Sequence, residues 1–522
     1  MQSKISSLPS TNQYGPILHA FDWSFNTIRN ELSNIAAAGY KSIQVSPVQG
    51  TKETSTDPTK WWLLYQPTNE SIGNIQLGTY DDFKALCSEA KTYEISIIVD
   101  VVMNHMAGTG DSLSSDVDSN FKNSTYYHQE GQCTDWNNRH DITQKGIGMP
   151  DLNTQNPEVQ NKAILFLNQC IDAGADGFRF DAAKHIETNI GLDSNQSWAG
   201  NYWSNVLNNL HNKSNLFIYG EILQSGTVDN LSGYESFMNI TACSYGYNLR
   251  SALYSNDLSS LGSDSTGLPI NKSVTFVETH DTYEDGTSKN LSISQIKLGW
   301  AIVASRNSST PLFFARPISS IGAEGDSLWK DADIVAINHF HNNMIGENEY
   351  LRWTNNNSTM LIDRGNSGTI IVNCGSNKYI NSPTNLKNGT YSNEGSTSCS
   401  LTVSNGILSG NIPENSVIIL STNITNLDTV SWSPTNPTIN ETISITYIAT
   451  GRPLQNSTTV NIHWGYDGFK DFTNTPMTYL GNNQWKVTLT IPPNATTNLD
   501  LCFTTGLTWD NNSNKDWHLH IY

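Results

Sequence analysis

The sequence predicts an α/β protein built on a (β/α)8 TIM barrel, interrupted by an inserted domain and followed by an all-β domain and a C-terminal β-sandwich module. Two observations predict the barrel. Strand-like and helix-like patterns alternate near the N-terminus, and four segments end an apolar run with an acidic or histidine-bearing tip. Parallel barrel strands collect their C-terminal ends at one face, where these tips would meet. The segments are DVVMNH (100–105), GFRFDAAKH (177–185), IYGEI (218–222) and FVETHD (276–281).

The alternation is clearest in residues 14–103, which read as a βαβαβ unit. The strand-like runs are ILHAFDW, SIQVSPV and SIIVDVV, and the helix-like segments between them are NTIRNELSNIAAAGY and YDDFKALCSEAKTY. From residue 106 the chain becomes rich in Gly, Ser, Asp and Asn, until EVQNKAILFLNQCIDAG resumes a helical period. Such a long irregular excursion is usually functional. We therefore predict a barrel of residues 1–105 and 155–346 around an inserted domain at 106–154.

Two further domains follow the barrel. Residues 347–425 show short strand-like runs separated by turn signals, which predicts an all-β domain. After Asn423 a Pro/Asn/Thr-rich join leads into alternating runs such as SITYIA and QWKVTLTI. These runs predict a β-sandwich module at 430–522.

Composition restricts the class of partner. The chain of 522 residues carries a formal net charge of −19, which argues against nucleic acid and anionic membranes. No stretch reaches the roughly 18 apolar residues of a membrane span. The seven cysteines show no metal motif, and a bridge between Cys374 and Cys399 stays open. A neutral polymer is the partner class most compatible with this composition.

The acidic tips Asp100, Asp181, Glu221 and Asp281 are the candidate chemistry. Buried acids are rare unless they have partners or a function. For one such residue alone a helix N-cap is the simpler interpretation, but four in one chain would need several coincidences. Arg179 lies two residues before Asp181 on the same strand, so both side chains point to the same face.

Taken together, the four segments resemble the α-amylase family, glycoside hydrolase family 13. The resemblance includes Arg179 before Asp181, the Lys184-His185 pair and the His280-Asp281 pair, and it covers residues 14–425. WWLLYQP (61–67) is similar to the sugar-stacking stretch after the second barrel strand. VETHDTYEDG (277–286) and TPLFFARP (310–317) resemble secreted bacterial α-amylases of the Bacillus subtilis type. In that family the insertion is domain B and the all-β domain is domain C.

The resemblance implies endo-acting hydrolysis of α-1,4-glucosidic bonds in starch, with retention through a covalent glycosyl-enzyme intermediate. Asp181 would be the nucleophile, Glu221 the acid/base and Asp281 the third carboxylate, which binds and distorts the sugar. Retaining cleavage of an acetal needs two such carboxyls about 5–5.5 Å apart. The implied substrate-binding residues are Trp61, Trp62, Tyr65, Gln66, His105, Arg179, Lys184, His185 and His280. For Trp61 a purely structural role at the barrel rim stays open.

The same resemblance implies a structural Ca²⁺ ion that clips domain B to the barrel. Its ligands would be Asn104, Thr143, Asp151 and the backbone carbonyl of His185, and such oxygen ligands suit a hard cation. No chloride is expected, because Thr279 stands where chloride-activated members have Asn.

The C-terminal tail resembles starch-binding modules of carbohydrate-binding module family 25, through VNIHWGYDGF (460–469) and TWDNNSNKDWHLHIY (508–522). By that resemblance His463 and Trp509 contact sugar rings, while Asp510 and Asn512 bind hydroxyls. Trp464 and Trp485 alternate to the core face. The alternative for this tail is a spacer or a cell-surface module.

Three functions stay open at this stage. The first is an α-amylase acting on starch, amylose, amylopectin and maltooligosaccharides. The second is a related enzyme, such as a cyclodextrin glucanotransferase or a maltogenic enzyme, and the third is a binding protein with a dead barrel. We expect a monomer without nucleic-acid or membrane partners. The start MQSKISSLPSTNQYG has no apolar signal region, which fits either an intracellular enzyme or the mature start of an extracellular one, and we expect the second.

Overall fold

The structure is a computed structural model that describes residues 8–224, 226, 228–262, 268–422, 430–434, 437–449, 452–455, 457–481, 483–512 and 515–521. The chain divides into two compact units, Met1–Thr422 and Asn423–Tyr522. The predicted join between domain C and the module falls on residues 423–429, which lie outside the described residues.

Eight parallel strands close into a barrel in the first unit, which confirms the predicted fold class. Going around the barrel, β1 to β8 follow one another in chain order, with β8 returning to pair with β1. Most of these strands are buried along their whole length, which is why they read as continuous apolar runs. The strands are β1 (Ile17–Ala20), β2 (Ser42–Val45), β3 (Ser96–Val102), β4 (Gly177–Asp181), β5 (Phe217–Gly220), β6 (Asn239–Thr241), β7 (Ser273–Phe276) and β8 (Thr310–Phe314).

Helices surround the strands, and local sequence sets where they begin. Ser24 caps the first helix, and a capping box of Thr79 and Asp82 starts the second. The longest helix has Asn156 as its cap and ends at Gly174, whose left-handed φ of 116° suits glycine. The α-helices are α1 (Phe25–Ala37), α2 (Tyr80–Thr92), α3 (Arg139–Gln144), α4 (Pro157–Ala173), α5 (Tyr202–Asn208), α6 (Leu231–Glu235), α7 (Cys243–Ser255), α8 (His280–Glu284), α9 (Ile293–Ala304) and α10 (Ala332–Asn343). Single 3-10 turns lie at Asn12–Tyr14, Pro58–Leu63, Ser119–Phe121, Ser124–Tyr126, Ala183–His185, Gly191–Asp193, Lys213–Asn215, Ile270–Lys272 and Ser327–Lys330.

The insertion between β3 and α4 has a small core of its own. It contains a short hairpin, Gly108–Thr109 with Ser112–Leu113, and the helix α3. Buried Met106, Phe121 and Leu152 belong to its apolar cluster. The segment is therefore a compact subdomain at the C-terminal end of β3, beside the barrel mouth.

Two four-stranded antiparallel sheets follow α10 and pack their inner faces into a separate core. In sheet order, the first has Glu349–Thr354, Thr359–Arg364, Gly368–Asn373 and Ser416–Ser421. The second has Lys378–Pro383, Ile407–Ile412, Ser400–Ser404 and Gly389–Ser392. Cys374 and Cys399 are both free thiols, so the pairing left open by the sequence is not formed.

The second unit is an antiparallel β-sandwich. One sheet has, in order, Val430–Ser433, Thr442–Ile448, Gln484–Thr490 and Thr478–Gly481. The other has Lys470–Pro476, Asn461–Tyr466, Asn498–Thr504 and Trp509–Asp510, with Trp517–His520 also pairing with Asn498–Thr504. Trp485 is buried in the core between the sheets, as predicted, and Trp464 packs partly buried against it. Among the described residues of both units, no helix is long and apolar enough to cross a membrane.

Candidate active site

The barrel brings the predicted acids to one end. Asp181 is the last residue of β4, Glu221 directly follows β5, and Asp281 lies in the first turn of α8 after β7. Asp100 lies one layer deeper, inside β3, and is completely buried. The C-terminal ends of β3, β4, β5 and β7 therefore supply four carboxyl groups to the barrel mouth.

Arg179 links three of these acids. Its Nη1 donates to Asp181 Oδ1 at 2.8 Å, and its Nη2 lies 3.0 Å from Glu221 Oε2. Nη1 also donates to Asp100 Oδ1 at 2.8 Å. The guanidinium is buried, so these charge-assisted bonds are only weakly screened by water. One planar group thus fixes Asp181 and Glu221 as neighbours.

Asp100 is a support beneath the site. It accepts hydrogen bonds from Arg179 and, at 3.0 Å, from the hydroxyl of Tyr65. Burial raises the pKa of Asp100 to about 7, against the opposing effect of the Arg179 charge. Its position after an apolar run was visible in the sequence, but its role as a partner of Arg179 was not assigned.

Asp181 and Asp281 have different surroundings. Burial raises the pKa of Asp181, and the Arg179 charge opposes that rise. Asp281 lines a cavity, and 45% of its side-chain surface is open. Burial among protein atoms, followed by the negative charge of Glu221, raises the pKa of Asp281 well above its usual range.

Glu221 Oε2 accepts a hydrogen bond from the backbone N–H of Ala182 at 2.9 Å and forms an ion pair with Arg179 at 3.0 Å. Its side chain keeps 15% of its surface open. The carboxyl group is therefore held in place yet accessible from the cavity, as a group that exchanges protons with a substrate must be.

Rings surround His280. The Tyr65 ring stacks on the imidazole with centroids 4.8 Å apart, and Phe21 stacks at 5.1 Å. Trp61 approaches edge-on at 5.7 Å. Burial lowers the pKa of His280 well below its usual range, which keeps the ring neutral. Its buried Nδ1 has no hydrogen-bond partner among the described residues.

The other predicted residues of this region, Trp62, Gln66 and His105, make contacts of their own. Lys52 Nζ lies 4.9 Å from the ring centroid of Trp62 and donates to Gln66 Oε1 at 2.6 Å. His105 is buried, and its Nε2 lies 3.0 Å from the carbonyl of Tyr65. In this structure Trp62 and Gln66 are thus tied to one lysine, whereas His105 fixes the backbone of Tyr65.

Two adjacent cavities reach the acids. The larger has a volume of about 940 Å³ and is lined by Trp61, Arg179, Glu221, His280 and Asp281, among others. The smaller, of about 200 Å³, reaches Asp181 together with Tyr65, His105, Lys184 and His185. Most of the predicted substrate-binding residues of the barrel therefore line one of these two adjacent cavities, as expected for a ligand-binding site.

The Lys184-His185 pair shapes one wall of the smaller cavity. Lys184 Nζ forms an ion pair with Asp229 at 2.7 Å and donates to the carbonyl of Leu223 at 2.9 Å. Burial lowers the pKa of His185 to about 4, and its Nδ1 lies 2.8 Å from the carbonyl of Ile142. Trp136, half exposed in the insertion, approaches His185 edge-on at 5.8 Å. Sequence reasoning missed Trp136, although an isolated Trp in a polar segment was a usable signal.

The predicted calcium ligands gather in two contacts between the insertion and the barrel. Asn104 Nδ2 donates to Asp151 Oδ1 at 3.1 Å, and Asp151 Oδ2 also contacts His128 Nδ1 at 2.7 Å. The bond from His185 to the carbonyl of Ile142 brings the segment before Thr143 against the barrel. Among the described residues, no cluster of three or more His, Cys, Asp or Glu side chains could hold a metal. An ion here would depend on amide, carbonyl and single carboxylate oxygens, which are ligands that Ca²⁺ accepts.

The module presents a separate set of rings. The His463 ring has Phe472 at 5.0 Å, Trp509 at 5.3 Å and Phe469 at 5.5 Å. Trp509 is 46% exposed and Phe472 is 64% exposed. Such open ring faces suit the apolar C–H faces of sugars. Phe472 was missed from the sequence, although it sits in the strand beside His463.

The structure contradicts the predicted role of Asp510. Its carboxylate is buried and paired with Arg452 at 2.6 Å, and it also accepts from the hydroxyl of Tyr447 at 2.7 Å. A charge buried in this way is bound to its partners and is not free for sugar hydroxyls. Asn512 is partly open, and its amide donates to the carbonyl of Asp516 at 3.1 Å. Asp510 is thus a structural residue of the module, and the side chain of Asn512 is bonded to the backbone of Asp516.

Comparison with known proteins agrees with this geometry. Residues 24–250 match the α-amylase catalytic domain, and residues 444–501 match the starch/carbohydrate-binding module of family 53. An α-amylase of Clostridium acetobutylicum is 57% identical over 523 residues, which cover 99% of this chain and 69% of that protein. An α-amylase of Butyrivibrio fibrisolvens is 35% identical over 462 residues, which cover 78% of this chain and 47% of that protein. Wild-type α-amylase I from Eisenia fetida has the same fold, with a TM-score of 0.69 at 21% identity over 80% of this chain and 99% of that one.

A barrel with paired carboxylates at its C-terminal end, open to a ring-lined cavity, defines the class of the protein as a glycoside hydrolase. The chain belongs to the α-amylase family, and its reaction is hydrolysis of α-1,4-glucosidic bonds in starch. The C-terminal unit is a starch-binding module of family 53, so the predicted family 25 was wrong while the predicted binding class is confirmed.

Proposed function

We propose that the barrel is an endo-acting, retaining α-amylase in which Asp181 is the nucleophile, Glu221 the acid/base and Asp281 the third carboxylate. The observation that carries the proposal is the single guanidinium of Arg179 that contacts both Asp181 and Glu221. One guanidinium can hold two carboxylates only when they are close neighbours. Retaining enzymes need carboxyls about 5–5.5 Å apart, whereas inverting enzymes leave room for a water at about 6.5–9.5 Å.

The first step breaks the bond between two glucosyl units. Glu221 gives its proton to the glycosidic oxygen as Asp181 Oδ2, the oxygen not bonded to Arg179 Nη1, attacks the anomeric carbon. Arg179 keeps Asp181 ionised and stabilises the charge that spreads over the site. His280 and Asp281 bind hydroxyls of the ring that flattens in the transition state. In the second step Glu221 takes a proton from water, and the water releases the sugar from Asp181.

Internal cleavage is supported by the shape of the site. The larger cavity is lined by Trp61, from the segment after β2, and also by Tyr247, from the helix after β6 on the opposite side of the closed barrel. A chain can therefore extend in both directions from the cut bond. The substrates we propose are starch, amylose, amylopectin and maltooligosaccharides, and we propose that the enzyme acts as a monomer without chloride.

The test is a time course of soluble starch digestion that follows iodine staining, reducing ends and product size together. Endo-acting hydrolysis predicts rapid loss of staining with few reducing ends and linear maltooligosaccharides. One dominant short product with slow loss of staining would instead indicate a maltogenic enzyme. Cyclic products would indicate a transferase, and an unchanged substrate would leave only a binding protein.

A bound Ca²⁺ would be held by Asn104, Asp151 and backbone oxygens of Thr143 and His185, where it would join the insertion to the barrel and take no part in the chemistry. The fit rests on the oxygen donors and on Asp151, whose pKa is raised by burial. A cation would offset that burial cost. Dialysis against a chelator should then lower the melting temperature, and added Ca²⁺ should restore it. An unchanged melting temperature would contradict the assignment.

We propose an extracellular location, because a starch-binding module serves an enzyme that meets insoluble polymer. Amylase activity in the medium of the producing cells, with little inside them, would support this location. Activity confined to the cells would overturn it.

A further inference from the structure

We infer that helix α7 carries a carbohydrate-binding surface for the part of the glucan chain on the leaving-group side of the cut bond, built on Tyr247 and Tyr254. This inference rests on the proposed function, because it names a further binding site for the same substrate. The observations that carry it are the exposure of both rings, their common face and their place in the catalytic cavity.

The two tyrosines lie on one face of an amphipathic helix. Tyr247 and Tyr254 are seven residues apart, which is two helical turns, and Ser251 lies between them on the same face. Leu249 and Leu253 point to the opposite face and are buried. The leucine side of α7 therefore packs in the core, whereas the side that carries the tyrosines has no packing role.

Both rings are open to a ligand. Tyr247 is 66% exposed and Tyr254 is 51% exposed. Within the described part of the chain, neither ring stacks on another aromatic ring. Scattered exposed apolar groups are normal, but two ring faces aligned along one helix beside an active site are not scattered. A sugar chain is the ligand chemistry that such plates suit, because its C–H faces are apolar.

The surface is continuous with the active site. Tyr247, Ser251 and Tyr254 line the same cavity of about 940 Å³ that contains Glu221 and Asp281. The same cavity is also lined by Glu284, Asp285 and Thr287, which follow β7. A cavity with exposed rings together with hydroxyl and carboxylate groups offers a sugar both stacking and hydrogen bonds.

Barrel topology gives the direction. Trp61 belongs to the segment after β2, and α7 follows β6. These strands are four apart in a closed barrel of eight, so the two segments lie on opposite sides of the mouth. If Trp61 and Tyr65 bind the glucosyl units that stay on Asp181, the tyrosines of α7 bind the units that leave.

The test uses maltoheptaose carrying ¹³C at the first carbon of its reducing end, cleaved by the full chain and analysed by chromatography and mass spectrometry. The size of the labelled product reports how many units occupied the leaving side. We expect the double variant Tyr247→Ala/Tyr254→Ala to shift the label towards glucose and maltose. The KM for maltoheptaose should rise by about 2–10-fold, the range expected for lost ring contacts. Tyr247→Phe/Tyr254→Phe keeps the rings and should behave as wild type.

Tyr379→Ala is the matched control, because Tyr379 is 62% exposed in the all-β domain and should leave the products unchanged. An unchanged label distribution in the double alanine variant would overturn the inference. A shift towards longer labelled products would also overturn it, because the tyrosines would then serve the other side.

Failure of the proposed function would look different, since the wild-type chain would not cleave maltoheptaose at all. In that case calorimetric titration of maltoheptaose decides the inference in a Trp509→Ala background, which weakens the contribution of the module. Weaker binding by the double variant would support the surface on α7, and equal binding would overturn it.

Discussion

In the barrel, the candidate catalytic groups are charged, largely buried and paired, whereas in the module the candidate sugar-binding groups are aromatic and exposed. Arg179, Asp100 and Asp181 bind one another beneath the cavity with contacts of 2.8 Å. His463 and Trp509 form an open cluster of rings. The difference fits the proposed roles, because bond cleavage needs preorganised charges, whereas binding a neutral polymer needs exposed apolar area on which sugar rings can stack.

Asp510 is the one acidic residue among the predicted sugar contacts of the module. It is buried and paired with Arg452, as Asp181 is with Arg179. A buried ion pair therefore does not mark an active site by itself. What marks the barrel is the combination of the pair with a cavity and with a second carboxylate on the same arginine.

Glu221→Gln should have the largest effect. The variant keeps the size of the side chain but removes the transferable proton, so kcat on soluble starch should fall by about 10²–10⁴-fold. Adsorption to raw granules should not change, since the module is untouched. Glu414→Gln, an exposed residue of the all-β domain, is the control and should keep full activity. Retention of most activity by Glu221→Gln would refute its role.

Arg179→Lys should come next. A lysine keeps the charge but has no planar fork, so it cannot bond Asp181 and Glu221 together. We expect kcat/KM to fall by roughly 10²-fold, the scale of losing one preorganised electrostatic contact. The melting temperature should also fall, because Asp100 loses its partner. Arg29→Lys, in the surface pair with Glu89, should change neither quantity. Activity within threefold of wild type would mean that the acids keep their places without the guanidinium.

Trp509→Ala should have a smaller effect, limited to the module. Loss of one exposed ring should weaken adsorption to granules by about 2–10-fold and leave hydrolysis of maltooligosaccharides unchanged. Tyr479→Ala is the matched control, because Tyr479 is 53% exposed in the other sheet of the sandwich. Equal loss in both variants would show that the cluster around His463 is not the binding face.

Asp281→Asn tests whether the raised pKa of Asp281 lowers the stability of the folded protein at neutral pH. The pKa of Asp281 is raised in the folded protein, so the folded state keeps a proton that the unfolded chain loses above about pH 4. The stability of the wild type should therefore fall, relative to the variant, as the pH rises above that value. The open side-chain surface screens the effect, so we expect a melting temperature only about 1–3 °C higher than wild type at pH 7 and equal near pH 4.

The control for this prediction is Asp116→Asn, an exposed carboxylate of the insertion, which should leave the melting temperature unchanged at both pH values. A variant of Asp281 that is less stable than wild type at pH 7 would contradict the raised pKa. Activity should be lost in the variant at every pH.

The fold and the positions of the candidate acids at the barrel mouth could be predicted because barrel strands carry a local signal. Each acid lies in an apolar run or within a few residues of its end, as Asp181 directly follows Phe180, so position in the chain indicates position at the mouth. The motifs that contain His280 and Arg179 also indicated that these residues lie at the mouth. A single His or Arg outside a motif would not have indicated this.

Other features depend on contacts between distant segments, which no local pattern contains. Asp510 follows Trp509 in an exposed-looking stretch, and only the partner Arg452, 58 residues away, shows that it is buried. Tyr247 and Tyr254 read as ordinary members of a helix until the barrel places α7 beside Glu221. Phe472 joins His463 through pairing between strands, and the spacing of residues along the chain does not reveal which ring will be exposed.

The most direct test of the paired Asp181 and Glu221 is the configuration of the first product, followed by ¹H NMR during rapid cleavage of a maltooligosaccharide. Two displacements at the anomeric carbon, the first by Asp181, predict that the α-anomer accumulates before mutarotation brings it to equilibrium. Initial accumulation of the β-anomer would mean a single displacement by water, and would contradict the account of Asp181 as the nucleophile.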